Sequence, residues 1–347
     1  MNIDKGYLKL LDTIVRDGVV KGDRTGTGTI SCFGAMLRHD MFLGFPLITT
    51  KRVYWKGVVA ELLWFLSGSS DIRDLLKADC HIWDGDAYRN YCNWYNQQEG
   101  LPQPPKHNIE FFIERIKTHT EFAKQWGDLG PIYGPQWRSW GGHFDKEPSG
   151  WHHGAPVDFK LTPKFDQINN VIHTLRTNPD SRRIIVNAWN VTSLDKMILP
   201  PCHFSFQFYS REATHKEEYI WLQDNSDKVA PKRIVSLMFN MRSNDVPLGL
   251  PFNIASYALL LEIIARMVNM IPGELVVSIG DAHIYTNQLP GVKEQMTREP
   301  YPLAKLDMGE SMNFEEGIDE FLSSCSIEDF KLKNYVSHPA IKMPLSN

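Results

Sequence analysis

The chain has 347 residues, 42% hydrophobic and 22% charged, a balance that supports a sizeable core and excludes wholesale disorder. Its net charge of −4 argues against general nucleic-acid binding by charge while leaving room for a local anion pocket. Cys32, Cys80, Cys92, Cys202 and Cys325 are odd in number, scattered and without a CxxC pair, which speaks against a disulfide framework or a structural zinc site. The start, Met1-Asn2-Ile3-Asp4-Lys5, lacks the basic-then-apolar pattern of a signal peptide, and no apolar run reaches the roughly 18 residues that a membrane span needs. A cytoplasmic protein is expected.

Residues 5 to 17 carry helical apolar spacing that stops at Asp17-Gly18. Asp23-Arg24-Thr25-Gly26-Thr27-Gly28-Thr29 reads as a turn-rich loop, and Ile30 to Leu37 as a strand. Val58 to Leu66 is a strongly apolar helix with Glu61 inside it, a carboxylate either on a wet face or buried for a purpose. About 93–107 and 140–160, rich in Gln, Asn, Gly, His and Pro, read as inserted loops. Strands are predicted at Ile184 to Val186, Phe204 to Tyr209, Ile234 to Phe239 and Leu275 to Ile279, with a core helix over Ile254 to Met270. The charged run 211–233 reads as a long hairpin excursion. Without repeats or a clear linker, one α+β domain over 1–347, with surface insertions, is the expected organisation.

Leu199-Pro200-Pro201-Cys202-His203 carries the sharpest chemistry. A free cysteine is often a core filler, but here two prolines fix the backbone and a basic neighbourhood can lower a thiol pKa. Arg242-Ser243-Asn244-Asp245 ends a predicted strand. It is either a solvated turn with its Arg and Asp paired, or an anion clamp, since a guanidinium suits phosphate oxygens bidentately. Arg182-Arg183 is a second candidate clamp. Asn253, between Phe252 and Ile254, is an amide that can satisfy its donor and acceptor against a base edge. His283 and Tyr285, two apart in an extended segment, share a face from which a sugar hydroxyl can be reached.

These segments resemble the thymidylate synthase family, folate-dependent enzymes that add one carbon to C5 of a pyrimidine nucleotide. The resemblance runs from about residue 5 to 342. It includes Asp23 to Gly28, Phe45-Pro46-Leu47, Thr49-Thr50-Lys51-Arg52 and Glu61-Leu62-Leu63-Trp64-Phe65. Ile82-Trp83-Asp84, Gly130-Pro131-Ile132-Tyr133-Gly134, Asp180-Ser181-Arg182-Arg183, Ala188-Trp189-Asn190 and Leu248 to Tyr257 continue it. It implies a large, mostly antiparallel twisted sheet packed by helices, with one sheet face as the interface of a homodimer.

It further implies that Cys202 attacks C6 of dUMP. Arg24, Arg242 and Ser243 would hold the phosphate, joined by Arg182 and Arg183 from the other subunit. Asn253 would read uracil, because members acting on cytosine carry aspartate there, and His283 and Tyr285 would bind the deoxyribose. Glu61, Tyr133 and His203 would organise water and proton transfer. Lys51, Ile82, Trp83, Asp245, Leu248, Gly249 and Phe252 would line the site of 5,10-methylenetetrahydrofolate. No metal, membrane or stable nucleic-acid partner is implied. A Cys–His hydrolase is the competing class, and it would need a separate histidine and an orienting acid around Cys202.

Three departures bear on the product. Met241 stands where the synthases carry glutamine, and the string from Asn240 to Asp245 resembles the viral nucleotide hydroxymethylases. The chain ends Pro344-Leu345-Ser346-Asn347 rather than in a small residue followed by valine or isoleucine, and Gln288 replaces a histidine. With Met241 and Asn347 as product-determining residues, the expected product is 5-hydroxymethyl-dUMP, formed by water capture. Thymidylate, formed by hydride transfer, is the alternative. The same resemblance suggests a phage source and a role in DNA base modification.

Overall fold

The computed structural model describes residues 2–23, 25–97, 108–141, 164–309 and 311–346. In chain order the helices are α1 (Ile3–Asp17), α2 (Trp55–Leu66), α3 (Ile72–Lys77), α4 (Asp84–Asn96), α5 (Ile109–Thr118), α6 (Thr120–Trp126), α7 (Tyr133–Arg138), α8 (Gln167–Thr177), α9 (His215–Asp224), α10 (Leu250–Met267), α11 (Leu289–Met296) and α12 (Ile318–Ser324). The strands are β1 (Val19–Lys21), β2 (Thr29–Asp40), β3 (Ile185–Asn187), β4 (His203–Glu212), β5 (Arg233–Asp245), β6 (Ile271–Tyr285), β7 (Lys305–Met308) and β8 (Phe330–Lys333).

Six strands form one sheet in the order β1-β2-β6-β5-β4-β3, and β7 and β8 make a separate hairpin-like pair. All neighbours in the large sheet are antiparallel except β5 and β6, which run parallel. A parallel pair needs a long crossover, and α10 supplies it. The helix is apolar nearly all round, so burial rather than amphipathicity holds it in place. Its 18 residues reach the length that the sequence reading assigned to no segment, yet most of them are enclosed by protein. It is a core helix.

Along β5, Val235, Leu237, Phe239 and Met241 alternate into the core, against α10 residues such as Tyr257, whose ring stacks on Phe239 at 4.1 Å. Alternation puts Ser236, Met238 and Asn240 on the other face of the sheet. Elsewhere on the strands large apolar groups are left exposed: Phe33 is 93% exposed, and Met36, Tyr209 and Ile185 are also open. All five cysteines are free thiols.

The expected excursion over 211–233 joins the antiparallel strands β4 and β5, which pair as far as Glu212 and Arg233, and what the sequence reading did not foresee is the capped helix α9 within it. Thr214 and Glu217 form a reciprocal capping box at the head of α9, and Arg211 pairs with Glu217. These bonds hold the Glu217 carboxyl down at about 2. Of the other two insertions, 93–96 belong to α4, while 98–107 and 142–163 lie outside the described residues.

Candidate active site

The strand directions bring the chemistry to one end of the sheet. Because β5 and β6 are parallel, Asp245 ends level with His283. Because β4 is antiparallel to β5, its first residue, His203, lies opposite Met241. The segment entering β4 therefore meets the segments leaving β5 and β6, and the first turn of α10 adds Asn253 above them. The 23–28 loop is tied to the same end, since Thr286 donates its backbone N–H to the Gly28 carbonyl at 3.0 Å and its hydroxyl to the Thr27 carbonyl at 2.7 Å. Arg24 within that loop lies outside the described residues, as does Asn347.

Cys202 is half-buried and held by its backbone. Its N–H donates to the Tyr133 hydroxyl at 2.8 Å, and its carbonyl accepts the Arg242 N–H at 2.9 Å. The Arg242 side chain folds back over the prolines, donating to the Pro200 and Pro201 carbonyls at 2.9 Å each, and one Nη stands 3.6 Å from the Cys202 sulfur. It also reaches Ser243 Oγ at 3.2 Å and lies 5.7 Å from the Trp189 ring. Arg242 is thus tied to the cysteine and not to Asp245, so the solvated-turn reading of that segment fails. Burial pushes the thiol pKa up, while the Arg242 charge and the Ser243 hydroxyl pull it down.

Behind the sulfur is an aromatic stack. Tyr133 and His203 lie face to face at 4.0 Å, and His203 Nδ1 shares a 2.8 Å hydrogen bond with the Tyr257 hydroxyl. Burial drives the His203 pKa down to about 3, so the imidazole is neutral at physiological pH and carries no proton as a cation. Gly130 explains how Tyr133 gets there. Its φ is +76°, and a Cβ at that position would overlap the Lys196 carbonyl, so only glycine lets the loop turn under Lys196. Glu61 sits on α2 and accepts the Trp83 indole N–H at 2.8 Å. Burial raises its pKa to about 7, against the opposing pull of that hydrogen bond. A carboxyl poised near neutrality is suited to accept and return protons.

A second group forms a roof. Asp245 accepts the Leu248 N–H at 3.0 Å and the Gln288 side-chain N–H at 2.8 Å. Burial raises its pKa, and these two bonds oppose the rise. Lys51 is buried, donates to the Pro247 carbonyl, and is lowered to about 8 by burial despite the nearby Asp245 charge. Gln288, without a role in the sequence reading, also donates to the Pro344 carbonyl at 3.0 Å and so links Asp245 to the C-terminal segment. Ile82 is exposed, Leu248, Gly249 and Phe252 are half-buried, and Trp83 is buried beside Glu61.

His283 and Tyr285 are half-buried neighbours, with ring centroids 5.3 Å apart. Arg182 and Arg183 are exposed ahead of β3, and among the described residues their side chains make no hydrogen bond, neither to the Cys202 cluster nor elsewhere. Met241 is buried, with its sulfur 3.3 Å from the Asn244 amide nitrogen. Sequence reasoning did not single out Tyr257, Asn244 or Trp189 for the site. Each lay inside a quoted motif, but its partner is distant in the chain or its side-chain direction is set by the fold.

No cluster of three or more metal-binding side chains occurs among the described residues. In comparison with known proteins, residues 5–347 match the family described as "Thymidylate synthase". The chain is 39% identical to "Thymidylate synthase" of Mycoplasma mobile, over 97% of both chains. It is 38% identical to "Thymidylate synthase" of Mesoplasma florum, over 97% of this chain and 98% of that one. It is 41% identical to "Bifunctional dihydrofolate reductase-thymidylate synthase" of Zea mays, matching 98% of this chain and 54% of the longer relative.

Proposed function

The chain belongs to the thymidylate synthase family, with methylenetetrahydrofolate as co-substrate, and we propose that it converts dUMP to dTMP by reductive methylation. The observation that carries this reading is the meeting, at one sheet end, of a cysteine sulfur under an arginine, an amide reader on α10 and a roof carboxylate. Near-full-length similarity to two proteins named for that activity supports the choice of product.

In this reading the Cys202 thiolate adds to C6, and the electron pair displaced from the C5–C6 bond becomes available at C5. Arg242 and Ser243 hold the phosphate with Arg24. Asn253 pairs with the base edge, and His283 and Tyr285 take the sugar. The co-substrate supplies both the carbon and the hydride and leaves as dihydrofolate. Glu61 exchanges protons with the base, while neutral His203 fixes Tyr133, whose hydroxyl already meets Cys202. Release of the C5 proton and elimination of the thiolate from C6 return the enzyme to its starting state.

The roof fits a heteroaromatic ring with donor edges. Asp245 is an acceptor that already takes the Leu248 N–H, Lys51 stands near it, and in this reading Ile82, Leu248 and Phe252 supply the apolar surface. The exposed Phe33, Met36, Tyr209 and Ile185 support a homodimer through the sheet. Arg182 and Arg183, without side-chain hydrogen bonds among the described residues, would then be available to the phosphate of the second copy. Two added guanidinium groups would also lower the Cys202 pKa, which burial raises in the isolated chain.

Water capture, giving 5-hydroxymethyl-dUMP, is the second reading. It rests on Met241 at the position where the synthases carry glutamine. The relatives named above favour hydride transfer. Incubating the protein with dUMP and methylenetetrahydrofolate and identifying both products by mass spectrometry separates the two. Equal yields of dTMP and dihydrofolate are expected, and 5-hydroxymethyl-dUMP with tetrahydrofolate would overturn the proposal.

A further inference from the structure

We propose that Asn244 sets base specificity: held by Met241, it locks the Asn253 amide in the orientation that accepts uracil and rejects cytosine. This deepens the dUMP reading and rests on it. Asn244 is buried, and its Nδ2 has two contacts, Asn253 Oδ1 at 2.9 Å and Met241 Sδ at 3.3 Å. Its own Oδ1 is buried with no hydrogen-bond partner. The amide has therefore committed both hydrogens and left its acceptor unsatisfied, an arrangement that needs a reason.

The reason lies in what each neighbour can accept. A thioether sulfur has no hydrogen to give. Turning Asn244 over would set its oxygen against the sulfur lone pairs and lose both contacts. Turning Asn244 and Asn253 together would restore the amide–amide bond but still oppose the Asn244 oxygen and the Met241 sulfur. Met241 thus fixes Asn244, and Asn244 fixes Asn253 with its oxygen on the Asn244 side.

Uracil presents N3–H, a donor, beside O4, an acceptor. Asn253 meets it bidentately with Oδ1 on N3–H, using its second lone pair, and Nδ2 on O4. Cytosine presents the reverse pair, N3 as acceptor and N4–H as donor. To meet cytosine, Asn253 must exchange its oxygen and nitrogen, which brings its NH2 against the NH2 of Asn244. The lock turns an amide that could read either base into one that reads uracil.

The test compares kcat/KM for dUMP and dCMP, or competitive Kd values where dCMP is not turned over, within one preparation of each protein. A ratio taken this way is insensitive to the fraction of folded protein. In Asn244→Leu the amide is free to turn, and the dUMP preference should fall about tenfold, the value of one buried hydrogen bond. In Asn244→Asp an acceptor replaces the donor and favours the turned amide, so the preference should fall by about a hundredfold, as for an exchanged bidentate base contact. Met241→Leu keeps the volume and removes the sulfur, and should lower the preference by a smaller factor. Preferences within about twofold of the parent protein in both Asn244 variants would overturn the proposal, even if both nucleotides bind more weakly, since a merely structural residue weakens both alike. Failure of the parent protein to bind dUMP would instead overturn the reading on which the inference rests.

Discussion

The wall and the roof of this site are held in different ways. The wall, with Cys202, Arg242, Asn244 and Asn253, stands on consecutive sheet strands and the first turn of a core helix, where ladder bonds fix the backbone. The roof, around Asp245 and Lys51, is joined by side-chain bonds between segments remote in the chain: Lys51 to Pro247, Gln288 to Asp245 and Pro344, and Asn287 to Ser346 at 3.3 Å. Beneath Lys51, buried Asp4 of α1 holds Thr49, and the Tyr335 hydroxyl holds the Ile48 carbonyl. Ladder bonds of a core sheet tend to open as a cooperative unit, whereas the isolated side-chain bonds of the roof can open one at a time. On the proposed assignment of the two sides, the nucleotide side is the preformed half and the folate side is the half able to open and close.

If that contrast is right, changes in the wall cost chemistry and changes in the roof cost folate affinity. The largest effect is expected for Cys202→Ala, which removes the nucleophile from an otherwise intact ladder. Turnover should fall by at least about 10⁴-fold, while dUMP still binds. Retention of more than a few per cent of activity would remove Cys202 from the reaction.

Glu61→Gln should lower kcat by about 10²- to 10³-fold, the usual contribution of a general acid–base group. It should also change how stability depends on pH. The Glu61 carboxyl is raised from 4.5 to about 7 in the folded protein, so folding favours its protonated form. Its stabilising contribution is complete below 4.5 and is lost as pH rises through 7. Replacing it should make the decline in melting temperature from pH 5 to 8 shallower. Glu262, raised to about 7 by burial in α10, keeps part of the slope. An unchanged slope would mean that Glu61 is ionised in the folded protein at all these values.

Gln288→Leu tests the roof directly. It should raise the KM for methylenetetrahydrofolate about tenfold, because Asp245 and the C-terminal segment lose their shared donor, and leave the Kd for dUMP within about twofold. Equal losses on both substrates would show that wall and roof are one cooperative unit.

What could be read in the sequence follows the same division. The wall strands and α10 carry period-two and continuous apolar patterns, so the presence and type of β4, β5, β6 and α10 were legible, although β5 runs six residues past its predicted end and β6 begins four residues before and ends six after its predicted span. α9 has no buried residue, hence no apolar stripe to find. Its readable signal was the capping pair Thr214 and Glu217. Gln288 had no meaning in the chain because it is defined by Pro344, 56 positions away. Asn244 lay in plain view within the Arg242 to Asp245 string, but its role depends on which way two amides face, and only packing against Met241 decides that.

The smallest effect separates positioning from chemistry within the wall. Tyr257 lies on α10 with its ring against Phe239 and its hydroxyl on His203 Nδ1. Tyr257→Phe keeps the ring and removes only that bond, leaving a buried imidazole nitrogen without its partner. A loss of about 1–3 kcal/mol of stability is expected from urea titration. If neutral His203 acts by stacking on Tyr133, and so on the Cys202 backbone, looser ring placement should lower kcat a few-fold with the KM for dUMP unchanged. The pH–rate profile should keep its shape, because His203, held near 3, contributes no ionisation there. A profile that loses an ionisation in Tyr257→Phe would instead make His203 a proton carrier, and the stack would belong to the chemistry.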